Sequence, residues 1–329
     1  RNKFKESFIL TQTILQSHGK LLKKVERIKN MVTRIISANA SEILKMNGTQ
    51  LKQSIKASEG RTVLSENVVT ESAIDNLTTS EIAAAFGADL ILLNLFDTLN
   101  PKVSGLEVDK PENTVKKLQK LTGRPIGVNL EPVDEKAEME STKLQISSGR
   151  TASVKSMKAA EKLGFNFVCF TGNPGTGVTN RMIAKAVKTA KKNFSGLIIA
   201  GKMHGAGVDE PVASEESVKE FLDAGADVIL VPAVGTVPGF TSEELIKIVK
   251  IVHKHGGLVM STIGTSQESS GAQTVHDIAL QNKICGVDIQ HIGDAGWGVV
   301  PPTDTIFELS KTIRGMNHTI SRMARSINR

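Results

Sequence analysis

LDAGADVILV, residues 222–231, carries the fold in miniature: an amphipathic stretch ends on a Gly, an Asp follows two residues later, and an apolar run of β-formers begins. Gly adopts the left-handed conformation that closes a helix, and an unbroken apolar run reads as a strand buried on both faces, as in a parallel sheet. The phrase recurs three times, as AAFGADLILL (84–93), EKLGFNFVCF (161–170) and KICGVDIQHI (283–292), each with Gly two residues before Asp or Asn. Four copies of a helix-to-strand junction imply a repeated βα unit.

Working outward from these junctions, eight Val/Ile/Leu-rich runs can be counted, each followed by Gly, Pro, Asn or Ser. They are RTVLSENVV (61–69), ADLILLNLFD (88–97), RPIGVNLEP (124–132), FNFVCFTGNP (165–174), SGLIIAGKMH (195–204), ADVILVPAVG (226–235), GLVMSTIGT (257–265) and GVDIQHIGDAG (286–296). From the second run on, the starts are spaced 36, 41, 30, 31, 31 and 29 residues, near the length of one βα unit. Stretches such as PENTVKKLQKLTG, SEESVKEFLDAG and TSEELIKIVKIVHKHG supply helices opened by Pro, Ser or Thr and closed by Gly. An open doubly wound sheet is the rival, but the chain lacks a Gly-x-Gly-x-x-Gly turn after its first strand. The expectation is an α/β protein, a (β/α)8 TIM barrel over residues 31–329 with an N-terminal helical extension. ASEILKMNGTQLKQSIKASEG (40–60) is expected to cover the barrel bottom with one or two helices, and the chain from Pro301 to form a last helix with a basic tail.

Composition narrows the function classes. The 329 residues are 40% hydrophobic and 23% charged, with a net charge of +7. That charge is concentrated in residues 1–30, which hold eight Lys/Arg against two Glu; the other 299 residues hold 33 against 32. A near-neutral body with no Tyr and one Trp argues against a nucleic-acid reader. Residues 1–30 read as an amphipathic arm or as an extension foreign to the domain, with Met31 as its start. Two cysteines, Cys169 and Cys285, form no disulfide framework, and no apolar run approaches the roughly 18 residues of a membrane span, so a cytoplasmic protein is expected.

In such barrels the reactive groups lie at the C-terminal strand ends, and here those ends are polar. They offer Glu66 and Asn67; Asn94 and Asp97; Asn129 and Glu131; Thr171 and Asn173; Lys202 and His204; Thr236; Ser261, Thr265 and Gln267; His291 and Asp294. In AGKMHGAG (200–207), Lys202 and His204 are one residue apart on a strand and so are expected to point together into the mouth. Lys202 suits a Schiff-base amine, a fixed charge for a substrate anion, or a general acid, with an ion pair to Glu131 or Glu66 as the plain alternative. His204, Glu131, His291 and Asp294 suit acid/base work, or a divalent metal held by imidazole and carboxylate. TGNPGTGVTN (171–180) enters a helix and could cradle an anion on Asn173, Gly175, Thr176 and Gly177, with Gly264, Thr265 and Gly293 supplying a second such rim. Glu66, Asn94, Asn129 and Thr236 complete the expected pocket. Cys169 reads as a buried core thiol, Trp297 as a ligand-stacking or mouth-closing ring, and His253 and His255 as helix-end residues.

The strings ASEGRT, GVNLEP, FTGNPGTGVTN, IIAGKMHGAG, PAVGTVPG, IGTSQ, HIGDAG and the ending SINR resemble a family of bacterial barrel proteins, over about residue 35 to the end. Its members are loosely labelled phosphoenolpyruvate phosphonomutase-like or haloacid dehalogenase-like. The first label implies paired metal-binding aspartates at adjacent strand ends and a Lys-x-Cys-Gly or Lys-Gly-x-x-Cys loop, whereas the nearest ends here read NLFD, NLEP and FTGN. The second implies an Asp-x-Asp-x-Thr/Val run that the chain lacks. Residues and resemblance together lead to an enzyme of the lyase, aldolase or isomerase type acting on a small phosphorylated or carboxylated metabolite, with no cofactor or a divalent metal. A metal-dependent hydrolase and a non-enzymatic metabolite-binding protein are the alternatives, and barrels of this size also form homo-oligomers.

Overall fold

The computed structural model describes residues 32–140, 142–294 and 298–329; the arm expected over residues 1–30 and the ring of Trp297 lie outside them. Strands β1 (Thr62–Val68), β2 (Leu90–Asn94), β3 (Ile126–Asn129), β4 (Phe167–Phe170), β5 (Leu197–Gly201), β6 (Val228–Pro232), β7 (Leu258–Ile263) and β8 (Ile289–Ile292) pair in chain order, all parallel, and β8 returns to β1. This closed eight-stranded barrel is the expected TIM architecture. Two helices, α1 (Ala40–Ile43) and α2 (Gly48–Lys56), precede it. The barrel helices are α3 (Thr79–Ala85), α4 (Thr114–Thr122), α5 (Val154–Leu163), α6 (Asn180–Ala190), α7 (Glu215–Ala224), α8 (Ser242–Lys254), α9 (Ala272–Cys285) and α10 (Thr303–Ala324).

The four junction phrases do the same mechanical work. Gly87, Gly164, Gly225 and Gly286 take positive φ after α3, α5, α7 and α9, a conformation open to Gly at little steric cost. Two residues on, the backbone N–H of Asp89, Asn166, Asp227 and Asp288 donates to the carbonyl of Val63, Ile126, Ile198 and Val259 on the preceding strand. The side-chain oxygen then accepts the N–H of that same residue, at 2.9, 2.9, 3.2 and 2.8 Å. Each even-numbered strand is thus tied at its base to its odd-numbered neighbour, and an amide at the bottom rim that would otherwise lack a partner is satisfied.

Two apolar cores result. Outside the barrel, Val63, Ile91, Val128, Val168, Ile198, Ile229 and Val259 pack under helix residues such as Ile183, Leu245 and Ile306. Inside, Leu64, Leu90, Leu92, Phe167, Ile199, Leu230 and Met260 fill the lumen, and Ile35, Ile36, Ile43, Leu51 and Ile55 plug its base, so the segment over 40–60 covers the bottom as expected. Gly127 has no side chain because the Phe167 ring fills its place; an added Cβ would lie 2.1 Å from that ring. Cys169 is fully buried in this lumen, and burial pushes its thiol well above its ordinary value.

The expected basic tail turns partly inward. α10 kinks at Gly315, and its Arg314 and Arg322, both buried, reach Asp89 at 2.6 and 2.8 Å, the latter as an ion pair too oblique for a linear hydrogen bond. Arg124 joins them, donating to the Ala88 and Arg322 carbonyls at 2.7 and 3.1 Å. Among the described residues no helix is long and apolar enough to cross a membrane.

Climbing the lumen, inward positions change chemistry at the same height. Leu64 gives way to Glu66, Leu92 to Asn94, Gly127 to Asn129, Cys169 to Thr171 and Ile289 to His291, each two residues on and therefore on the same face. Above the apolar plug lies a polar layer.

Candidate active site

That layer floors a cavity of about 50 Å³ lined by Glu66, Asn94, Asn129, Thr171, Gly172, Asn173, Pro174, Met203, His204, Gly264, Glu268, Gly293 and Asp294. By the rule of roughly 10–15 Å³ per enclosed water, it holds about three to five water-sized groups. Three lining residues are carboxylic acids, and none of the described lining residues is Lys or Arg.

An amide network shapes one wall. Asn94 and Asn173 exchange reciprocal side-chain hydrogen bonds at 3.0 and 3.1 Å, and Asn129 donates to Asn94 at 3.4 Å. Glu131 holds this wall from behind: its carboxylate accepts the backbone and side-chain N–H groups of Asn173 at 2.8 and 2.9 Å and Arg150 at 2.7 Å. Its oxygens are engaged and it does not line the cavity, so it positions Asn173 rather than standing as a free base.

The acidic wall is built differently. Glu66 Oε2 sits 2.8 Å from His291 Nε2, and the buried His291 Nδ1 has no partner among the described residues. Asp294 accepts from Asn94 at 3.2 Å. Burial, with the nearby charges of Glu66 and Glu268, pushes the Asp294 carboxyl up to about 8, so it is protonated at neutral pH. Glu268 is fully buried, neither of its oxygens has a hydrogen-bond partner among the described residues, and burial raises it as well. Asn129 Oδ1 and Thr171 Oγ1 are likewise buried without partners among the described residues.

His204 closes the cavity from the β5 side. Its Nδ1 accepts the N–H of Ala206 at 3.0 Å, so a neutral ring carries its proton on Nε2, and a protonated ring would set two N–H groups against each other. Burial, with the Lys202 charge nearby, holds it below the usual histidine range. It is therefore a neutral hydrogen-bond donor. Backbone strain gathers around this mouth: Leu95, Ala206 and Ser266 take φ of 61°, 55° and 83° without being Gly.

Of the residues expected from the sequence, Glu66, Asn94, Asn129, Asn173, His204, Gly264, Gly293 and Asp294 share the cavity lining. His291 lies just behind it, through Glu66. Lys202 does not point in with His204. β5 ends at Gly201 (φ 153°), and the fully buried Lys202 side chain pairs with Glu210 at 2.5 Å, not with Glu131 or Glu66. Burial lowers its pKa while Glu210 opposes the shift.

The expected anion cradle is also occupied from within. The N–H of Thr176 goes to the Asn173 carbonyl and that of Gly177 to Ala206, while the Gly175 and Gly177 carbonyls receive Leu144 and Asp134. At the start of α6 the Asn180 N–H donates to Glu210 at 2.6 Å, so the protein's own carboxylate takes the anion position. Thr265 and Thr236 bond one another's loops at 2.7 Å and do not line the cavity. Among the described residues no three His, Cys, Asp or Glu side chains are arranged to hold a metal ion, so Glu131, His204, His291 and Asp294 do not form the ligand set expected of them. His253, expected to serve only the end of α8, also pairs with Asp288 at 2.8 Å.

Sequence reasoning missed Glu268, Met203, Arg150 and Glu210. Glu268 had a signal: it is the one charged residue of the mouth loop IGTSQESSGAQ.

A polar cavity enclosed at the C-terminal ends of eight parallel strands places the chain in the class of TIM-barrel proteins with a mouth-end site. Within that class it belongs to the DUF7916 family, described as a domain of unknown function, whose model matches residues 36–329. No curated protein matches it. Solved structures with a similar fold include thiamine phosphate pyrophosphorylase from Pyrococcus furiosus, at 15% identity, covering 78% of this chain and 97% of that one with a TM-score of 0.47. 2,3-Dimethylmalate lyase, a PEP mutase/isocitrate lyase superfamily member, is similar at 12% identity over 79% and 83% of the two chains (TM-score 0.48). Orotidine 5'-phosphate decarboxylase from Pyrococcus horikoshii OT3 is similar at 15% identity over 78% and 100% (TM-score 0.45). These likenesses concern the fold. A haloacid dehalogenase relationship finds no support among them.

Proposed function

We propose that the chain is an enzyme of the lyase, aldolase or isomerase type that moves a proton beside a carbonyl group of a small substrate. The observation that carries this reading is the pairing, across one cavity, of a carboxyl held protonated, Asp294, with a carboxyl anchored by an imidazole, Glu66 on His291. A protonated carboxyl facing a second carboxyl across one cavity is the usual making of an acid and a base.

In this reading the substrate carbonyl oxygen meets the Asp294 O–H and the His204 Nε2–H, which polarise it. Glu66 takes the proton from the neighbouring carbon as the C–H bond breaks, and Asp294 delivers its proton to the oxygen to complete the enol. Return of a proton to the other carbon gives an isomerase, and expulsion of a leaving group gives a lyase. His291 holds Glu66, and Glu131 holds the amide wall through Asn173. Lys202, salt-bridged and outside the lining, has no part, so Schiff-base chemistry is not invoked. With three acids and no cation on the described lining, the buried end of the substrate is a neutral carbonyl, and any phosphate or carboxylate lies outside the cavity.

The test is solvent deuterium exchange. Aldehydes, ketones and keto acids incubated with the protein in D2O should include some that exchange the proton next to the carbonyl, read by loss of its NMR signal. Asp294→Asn should abolish that exchange and His204→Gln should slow it by about 10²–10³-fold, the scale of one lost acid or polarising donor. Exchange undiminished in both variants would remove the reading.

A further inference from the structure

His204 belongs to two hollows. Besides the polar cavity it lines a wider cleft of about 420 Å³ between the loops that follow β5 and β6, walled by Pro211, Val212, Val237 and Phe240 with Glu244 at the rim. The contrast in size and chemistry matters. About 50 Å³ encloses a carbonyl and its immediate neighbours, so any larger substrate must continue outward. Among the larger hollows of the described residues, this cleft is the one that shares a wall residue with the polar cavity; the apolar hollow at Ile74, Leu77 and Phe86 does not.

The junction is built to last. The N–H of Ala206 pins His204 Nδ1, so the ring is held in one orientation on the wall the two hollows share, with Nε2 available to bond a ligand. The Lys202–Glu210 pair and the Asn180 N–H donated to Glu210 tie the β5 loop to the start of α6. On the far side, Thr265 bonds the Thr236 carbonyl and steadies the loop that carries Val237.

We propose that this cleft is the second half of the substrate site and takes an unbranched or aromatic hydrocarbon tail, with the carbonyl head seated beyond His204. Apolar walls gain from displacing water by hydrocarbon, whereas a charged tail would gain only from the rim. The inference rests on the carbonyl reading for the identity of the head, but the occupant of the cleft is tested separately.

The probes are straight-chain methyl ketones from propanone to 2-octanone, titrated into 15N-labelled protein while the ring nitrogens of His204 are followed by NMR. Affinity should rise about three- to four-fold per methylene and then level off as the cleft fills. Val237→Asp and, independently, Val212→Asp should remove the chain-length increment and leave propanone binding unchanged. In the unsubstituted protein, a spin-labelled long-chain ketone should broaden the methyl signals of Val212 and Val237 before those of Ile74 and Leu77. A flat series, increments that survive both substitutions, or broadening first at Ile74 and Leu77 overturns the proposal. The increment without deuterium exchange would sink the proton-transfer reading and keep the cleft, and exchange without the increment would do the reverse.

Discussion

The two ends of the barrel use the same kinds of buried polar residue to opposite effect. At the bottom, Asp89, Asn166, Asp227 and Asp288 all bond a neighbouring strand, and beyond that Asp89 meets two arginines, Asp227 meets Lys52 and Asp288 meets His253. At the top, Glu268, Asn129, Thr171 and His291 each keep at least one buried polar atom without a partner among the described residues. Burying a polar group is costly unless it is met, so the bottom end stabilises the fold and the top end carries an uncompensated cost. Unmet atoms occur at the bottom too, at Thr62 Oγ1 and Arg325 Nε, but those of Glu268, Asn129 and Thr171 gather around one cavity, where a ligand would supply the missing bonds.

The largest test of this contrast is at the bottom. Asp89→Ala leaves Arg314 and Arg322 buried with their shared counter-charge gone and Arg124 close by. Breaking a buried ion pair by removing one partner costs on the order of 3–5 kcal/mol, so urea unfolding should show a loss of that size, or no folded protein. A loss below about 1 kcal/mol would mean that the arginine carbonyl contacts suffice and that the bottom end is not held by its acids.

At the top the same kind of deletion should stabilise. The Asp294 carboxyl is raised from 3.8 to about 8, so between those pH values the folded state keeps a proton that the unfolded chain has lost. Fewer protons on the unfolded chain mean that stability falls as pH rises through this window, then levels off above about 8. Asp294→Asn removes the dependence. Its stability relative to the unsubstituted protein should climb from pH 4 to pH 8, measured by urea unfolding at successive pH values, while deuterium exchange is lost. Parallel curves across that range would show that Asp294 is not held protonated.

How much of this could be read in advance follows from sequence distance. The bottom end is written in a local phrase, Gly-x-Asp or Gly-x-Asn before a strand; its four copies announced the repeated βα unit, and the strand-tying role of the Asp and Asn emerged only with the hydrogen bonds. The strand-end rule also named Glu66, Asn94, Asn129, His204 and Asp294. What it could not name were partners: Glu66 and His291 are 225 residues apart, and Asn94 and Asp294 are 200. The reading of Lys202 went astray because spacing gives parity but not facing: Leu197 and Ile199 face the lumen, so residue 202 falls on the outward parity of Ile198 and Ala200, and β5 ends at Gly201 before it. The glycine-rich loop after β4 reads as an anion cradle, but its Thr176 and Gly177 N–H groups go to backbone carbonyls and the Asn180 N–H at the start of α6 meets Glu210, from the loop after β5.

The finest test pairs one glycine from each end. Gly164 closes α5 with φ of 84° and has nothing within 4 Å of where a Cβ would go, so Gly164→Ala meets no neighbour and suffers only the left-handed backbone, a cost of about 1–2 kcal/mol. Gly264, just past β7, is not in that region, but its added Cβ would lie 2.3 Å from the Met203 sulfur. A thioether at the end of a flexible chain can swing aside, so Gly264→Ala should cost less than about 1 kcal/mol of stability. Met203 also lines the cavity, where a shift of even one methyl group matters in a volume of about 50 Å³. The two variants should therefore cross: Gly164→Ala lowers the melting temperature and leaves ketone titration unchanged, and Gly264→Ala weakens the titration severalfold at nearly unchanged melting temperature. If both variants moved stability alone, the mouth would be packed for the fold's sake like the base, and the unmet groups there would need an explanation other than a ligand.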